Sequence, residues 1–212
     1  MAVRIFVADD HEVVRQGLKR LIGERSDWVL CGEAADGRAA LRAVLELKPD
    51  VVIMDVAMSR LNGLLATRQI TKALPKTHVL VLTMYDSEQV ALEAVRMGAR
   101  GWVPKTDAAQ TLVRAIETVL ANRTYFPAEV EAAVLDAYRT GRGRRTNGGV
   151  TVRQREIVQL LAEGLSNKEV ASTLGISVKT AETHRANIMR RLNLKSLGEL
   201  VRYAVREKIA KL

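Results

Sequence analysis

The sequence is poor in cysteine: Cys31 stands alone among 212 residues. No internal disulfide can staple the chain, which fits a reducing cytoplasm. Cys31 lies among Val29, Leu30 and Ala34, where a free thiol reads as a small hydrophobe and not as a nucleophile. Long apolar runs are also missing. The longest span a handful of residues, against the roughly 18 needed for a membrane span, so no membrane partner is expected. Met1-Ala2-Val3-Arg4-Ile5-Phe6 goes straight into a strand-like pattern, without the apolar core and cleavage site of a secretory signal. No internal repeat is visible. What remains is ordinary globular composition, 48% apolar and 27% charged, with enough material for a proper core.

Charge is unevenly spread. Residues 1–140 carry 18 Lys+Arg and 18 Asp+Glu, a net of 0, whereas residues 141–212 carry 15 and 6, a net of +9. A neutral part joined to a basic part implies two jobs, the second involving a polyanion. Nucleic acid suits it better than a membrane surface, because the basic part lacks an aromatic-rich amphipathic face.

The first two-thirds alternate between two periodicities. Strand-like runs occupy Val3–Ala8, Val29–Ala34, Val51–Met54, Val79–Thr83 and Gly101–Val103. Helical patterns fall between them at Glu12–Gly23, Arg38–Leu47, Gly63–Ala73, Ser87–Met97 and Ala108–Ala121. Alternation with short connections predicts an α/β fold, a parallel sheet with helices on both faces, of the flavodoxin-like (βα)5 doubly wound kind with strand order 2-1-3-4-5. Pro127 is placed to open a further helix through about Arg139, and Thr140–Gly149 (TGRGRRTNGG) reads as a flexible basic linker.

The last third reads as a small all-α unit of four short helices. Thr151-x-x-Gln154, Ser166-x-x-Glu169 and Ser196-x-x-Glu199 each match a capping box, and a fourth helix, about Val178–Leu192, follows Ser177. Leu174-Gly175-Ile176-Ser177 is a tight turn between two of the helices, which predicts a helix-turn-helix.

Val51-Val52-Ile53-Met54 reads as a strand buried on both faces, and it stops on Asp55. In an open α/β sheet, ligands bind beyond the carboxyl ends of the strands. Asp9 and Asp10 follow the first strand, so with order 2-1-3-4-5 the three carboxylates converge at the switch point. Crowded carboxylates need a cation, and hard oxygen ligands suit Mg²⁺. Thr83 ends the fourth strand and Lys105 follows the fifth, which places a hydroxyl and an ammonium near the same rim. Singly, each has a plain explanation: a solvated turn, a surface lysine, a common strand end. His11 reads as an exposed loop residue with no chemical role.

This set resembles the receiver domain of two-component response regulators, over about residues 1–121. The resemblance makes Asp55 the carboxylate that takes a phosphoryl group from a partner histidine kinase. It implies that Asp9, Asp10, Asp55 and the main-chain carbonyl of Ala57 hold Mg²⁺. It also makes Lys105 and Thr83 the groups that meet the phosphoryl oxygens, and puts Trp102 where the family often carries a switching aromatic. Met58-Ser59 departs from the family's frequent Met-Pro. Dehalogenase-type phosphatases, an alternative, carry a general-acid Asp two residues after the nucleophile; here that position is Ala57, which favours a switch over an enzyme. A receiver that never takes phosphate is disfavoured by the complete set.

Gly164–Ala171, Leu174, Ile176-Ser177, Thr180 and Thr183-His184-x-x-Asn187-Ile188 resemble the LuxR-type helix-turn-helix, over about residues 150–212. Val150-Thr151-Val152-Arg153 departs from the usual Leu-Thr-Pro-Arg. Together the two halves are similar to the NarL/FixJ type of phosphorylation-dependent transcription regulator, with residues 122–149 as linker. Ala181, Ile188 and Leu192 share one stripe of their helix and should pack inward. Lys179, Thr180, Glu182, Thr183, Ala186, Asn187 and Arg190 are then expected to face double-stranded DNA, with Glu182 able to accept from cytosine N4 and the Thr183 methyl able to meet thymine. Lys168, Lys179, Arg185, Arg190, Arg191 and Lys195 suit phosphates. By resemblance, Leu197, Val201 and Val205 on the last helix pair two protomers on a palindromic site.

Overall fold

The structure, a computed structural model, describes residues 2–84, 88–128, 130–132, 150–207 and 209–210. Most of the helix expected from Pro127 to Arg139, and nearly all of the linker before Val150, lie outside these residues. The chain divides into two compact units, an N-terminal α/β unit and a C-terminal helical unit.

The α/β unit is built on five parallel strands: β1 (Val3–Ala8), β2 (Trp28–Ala34), β3 (Val51–Asp55), β4 (His78–Thr83) and β5 (Gly101–Pro104). Their order is β2-β1-β3-β4-β5. The helices are α1 (Glu12–Gly23), α2 (Gly37–Leu47), α3 (Gly63–Ala73), α4 (Glu88–Arg96) and α5 (Ala108–Leu120). β3 is central, and all five of its residues are buried, which explains its unbroken apolar run. Ile5, Val7, Ile53, Leu80, Leu82 and Val103 on one sheet face pack with Leu18 and Ile22 of α1 and Leu112, Ile116 and Val119 of α5. Each fully buried aliphatic side chain in this layer contributes about 1.5–3 kcal/mol. The edge of β5 is covered by Tyr125, whose N–H donates to the Arg100 carbonyl at 2.9 Å and whose carbonyl accepts from Trp102 N–H at 2.8 Å.

In the second unit, α6 (Val152–Ala162), α7 (Asn167–Leu174), α8 (Val178–Arg191) and α9 (Leu197–Arg206) surround Ile157, Val158, Leu161, Val170, Ala171, Ala181, Ile188, Leu200, Tyr203 and Ala204. α6 and α7 start with full capping boxes on Thr151 and Ser166. The box expected at Ser196 is only half made. Ser196 accepts from the Glu199 N–H, but Glu199 Oε2 accepts from Lys195 N–H at 2.7 Å, one residue earlier than a box requires. α7 ends in a Schellman arrangement: Ile176 N–H donates to the Ala171 carbonyl, with Gly175 at φ +64°, a conformation glycine adopts without strain. That turn sets the angle between α7 and α8. No helix among the described residues is long and apolar enough to cross a membrane.

Candidate functional site

The parallel register brings the acidic residues together. Ala8 of β1 pairs with Met54 of β3, so Asp9 and Asp55 leave adjacent strands side by side. Both are almost wholly buried, at 1% and 2% exposure. Lys105 opens a single 3₁₀ turn after β5 and reaches back across the strand ends. Its Nζ lies 2.7 Å from Asp9 Oδ2 and 3.0 Å from Asp55 Oδ2. The other Asp55 oxygen, Oδ1, accepts from the Val56 N–H at 2.8 Å, which fixes the carboxylate's rotation. Thr83 is fully buried at the end of β4, one residue past the Leu82 that pairs with Asp55.

Gly63 is a site residue that the sequence does not announce. A methyl group at its Cα would stand 1.7 Å from the Asp55 carbonyl oxygen. Only glycine lets α3 begin directly behind the acidic strand end. A glycine that opens a helix shortly after a strand-ending carboxylate is the signal that could have marked it.

His11 is exposed in the loop ahead of α1, as its sequence reading has it, and its ring also meets the acidic pair. Its Nδ1 lies 2.7 Å from Asp10 Oδ1 and 3.1 Å from Asp9 Oδ1, and its main-chain N–H donates to Asp9 Oδ1 at 2.9 Å. The adjacency of His11 to two aspartates was the available clue. Arg15, a turn further along α1, donates to the Asp9 carbonyl at 2.8 Å.

Three carboxylates thus face one ammonium. Burial is the largest influence on Asp55 and pushes its carboxyl above the ordinary range; Lys105 opposes this, and Asp9 and Asp10 reinforce it. Burial on its own would pull Lys105 down, but Asp55 and Asp9 outweigh it, and the ammonium ends above its ordinary value. A carboxyl raised by burial and by two neighbouring carboxylates, even with a lysine beside it, marks a site short of positive charge. Asp9, Asp10, His11 and Asp55 each offer one donor atom, all within 4.8 Å of one another. Donors so placed, most of them carboxylate oxygens, fit a hard divalent cation with ligand distances of about 2.1 Å.

Trp102, on β5, is 2% exposed. Its indole N–H has no hydrogen-bond partner among the described residues. The Val103–Pro104 bond is trans, since no peptide bond among the described residues is cis. Ala57 follows the strand end and is half-buried. Burial pushes the half-buried Cys31 thiol up, away from the reactive thiolate.

On α8, Ala181 and Ile188 are buried and Leu192 packs against the same core. Lys179, Thr180, Glu182, Thr183, Ala186, Asn187 and Arg190 are exposed, as is Lys168 on α7, while Arg185 is half-buried. The Thr183 hydroxyl donates to the Lys179 carbonyl at 2.8 Å, so its hydrogen bond is spent within the helix. Ser177 caps the helix by accepting from the Thr180 N–H, and the two hydroxyls lie 2.8 Å apart. Arg190 donates to Asn187 Oδ1 at 3.3 Å. Leu197 and Val205 of α9 are exposed at 41% and 38%, whereas Val201 packs against the core.

Comparison with known proteins matches both units. A family model of the response regulator receiver domain matches residues 5–117, and one of bacterial regulatory proteins of the luxR family matches residues 149–204. The oxygen regulatory protein NreC of Staphylococcus carnosus (strain TM300) is 37% identical over 214 residues, covering 98% of this chain and 99% of that protein. Among solved structures, a LuxR-family two-component response regulator from Aurantimonas sp. SI85-9A1 is similar at TM-score 0.59 and 34% identity, over 66% of this chain and 99% of that one. RcsB of Salmonella enterica serovar Typhimurium, solved on promoter rprA with the phosphomimetic BeF₃⁻, shares the fold at TM-score 0.64 and 22% identity, over 96% of this chain and 98% of that one.

Proposed function

The chain belongs to the two-component response regulators, with a receiver domain followed by a LuxR-type DNA-binding domain, and from that premise we propose that Asp55 is its phosphoryl acceptor. The protein is a phosphorylation-dependent, DNA-binding transcription regulator. The observation that carries the assignment is Lys105 Nζ lying within 3.0 Å of Asp55 and 2.7 Å of Asp9, at the ends of three strands.

The donor is a phosphohistidine on a sensor kinase. An Asp55 carboxylate oxygen attacks phosphorus, the P–N bond breaks, and its electron pair returns to the imidazole. The product is an acyl phosphate on Asp55. In-line phosphoryl transfer demands positioning and charge neutralisation more than proton transfer. The Val56 N–H sets the angle of the carboxylate. Asp9, Asp10, Asp55 and the Ala57 carbonyl would hold a Mg²⁺ ion, which would supply the missing positive charge. Lys105 exchanges its contacts with the carboxylates for the new phosphoryl oxygens, and the Thr83 hydroxyl follows it. Ala57 offers no general acid for hydrolysis, which supports a switch and not a turnover enzyme.

The switch adds about 1.5 to 2 negative charges at the strand ends. The response passes through Thr83 and Trp102 to the surface that controls pairing and DNA binding. On DNA, Glu182, Thr183 and Ala186 lie at base edges of the major groove, with Thr180 and Asn187 flanking them. Lys168, Lys179, Arg185 and Arg190 meet phosphates. Leu197 and Val205, with Val201 behind them, pair two copies on a palindromic site. The test is mass spectrometry of the protein treated with acetyl phosphate and Mg²⁺. One added phosphoryl group on the Asp55 peptide, absent from Asp55→Ala, supports the assignment; an equal gain in Asp55→Ala refutes it.

A further inference from the structure

We infer that His11 is a nitrogen donor to the cation of the acidic pocket and tunes which metal that pocket prefers. The inference rests on the reading of Asp9, Asp10 and Asp55 as a cation site and goes beyond it.

His11 occupies the N-cap position of α1, yet its side chain makes no capping hydrogen bond. The usual reason for a polar residue at such a position is therefore missing. The ring is instead held over the carboxylates. The main-chain N–H of His11 donates to Asp9 Oδ1 at 2.9 Å, and the ring's Nδ1 sits 2.7 Å from Asp10 Oδ1 and 3.1 Å from Asp9 Oδ1. The 3.1 Å contact between Nδ1 and Asp9 Oδ1 is a hydrogen bond, and the 2.7 Å approach to Asp10 Oδ1 brings the same nitrogen against the second carboxylate. One ring nitrogen of His11 belongs, with one oxygen each of Asp9, Asp10 and Asp55, to a group of donor atoms that lie within 4.8 Å of one another. In the tautomer that leaves Nδ1 bare, this nitrogen presents a lone pair on the side of the two carboxylates. The ring then carries its proton on Nε2, on a side chain that is 47% exposed and able to meet water.

A pocket of carboxylate and carbonyl oxygens suits Mg²⁺, which binds imidazole poorly. An added imidazole favours first-row transition dications, whose affinity for nitrogen ligands rises from Mn²⁺ through Fe²⁺ and Co²⁺ to Ni²⁺. His11 therefore raises the affinity for such an ion while leaving that for Mg²⁺ nearly unchanged. A residue that only oriented the two aspartates would shift both metals alike.

The test uses the untagged full chain, with Co²⁺ and Mg²⁺ as probes at fixed neutral pH. Calorimetric titration gives both affinities for wild type, His11→Ala and His11→Asn, and the visible bands of bound Co²⁺ report its ligands. The expected result is a loss of about tenfold or more in Co²⁺ affinity in both variants. Mg²⁺ affinity should stay within about threefold, and the Co²⁺ bands should move as nitrogen is replaced by oxygen. Equal losses for the two metals, or unchanged affinities and bands, would overturn the role of His11 and leave the carboxylate pocket standing. A wild-type chain that binds neither ion would overturn the pocket itself along with it.

Discussion

Lys105 and Asp55 meet at 3.0 Å with their side chains only 5% and 3% exposed, and Asp9 shares the same ammonium at 2.7 Å. In water such a pair would contribute little; shielded here, it holds together the ends of three strands. Lys105→Met would leave two buried carboxylates without their counter-charge. The expected loss is about 3 kcal/mol of unfolding free energy in EDTA, measured by urea denaturation. Added Mg²⁺ should restore part of it, because the ion supplies charge to the same oxygens. A variant as stable as wild type in EDTA would show that the pair contributes nothing.

Asp55 carries a cost of the opposite sign. Its carboxyl is raised above the ordinary value of 3.8, with burial as the first cause. The folded state therefore binds its proton more tightly than the unfolded chain does. The penalty of the charged form is fully present above the raised folded value, shrinks as pH falls through it, and is gone below 3.8. Asp55→Asn should accordingly be more stable than wild type at pH 7 in EDTA, by about 1 kcal/mol. The advantage should narrow as the pH approaches about 4. An advantage that does not change with pH would locate its cause elsewhere.

Gly63 makes the strand end possible. A methyl 1.7 Å from the Asp55 carbonyl oxygen cannot be accommodated without moving α3 or the acidic strand end. Gly63→Ala should cost about 2 kcal/mol, as overpacking typically does. It should also slow labelling of Asp55 by acetyl phosphate, because the carboxylate is displaced from Lys105. Unaltered stability and labelling together would show that the backbone yields freely there.

Much of this was legible from the chain alone, for identifiable reasons. A central parallel strand buried on both faces must be written in consecutive apolar residues, and Val51–Met54 is. Helix starts that satisfy their own N–H groups must carry the capping residues, as Thr151 and Ser166 do. Asp9, Asp55 and Lys105 could be grouped because strand order and strand ends place them before any side chain is considered. His11 and Gly63 were not legible in this way. One depends on where a ring turns, the other on how closely a helix passes a carbonyl, and neither distance follows from spacing along the chain. Glu199 shows the same limit, since its reach to Lys195 and not to Ser196 is a matter of local geometry.

On the proposed reading, the exposed face of α8 divides its work between backbone and bases. Lys179→Ala should weaken binding about uniformly across sequences and lower the slope of log affinity against log salt by about 1. Glu182→Ala should relax preference at one base position, by about 1–3 kcal/mol, with the salt slope little changed. Sites selected from random DNA, followed by salt titrations, separate the two. Interchanged effects would mean that α8 lies in the groove in a different orientation.

The most direct test joins the two units through one carboxylate. Affinity for a selected DNA site is measured for wild type and Asp55→Ala, each with and without acetyl phosphate and Mg²⁺. The expected result is a gain of about tenfold for wild type, within the usual range of coupling between sites, and none for Asp55→Ala. An equal gain in Asp55→Ala would contradict the assignment of Asp55 as the switch.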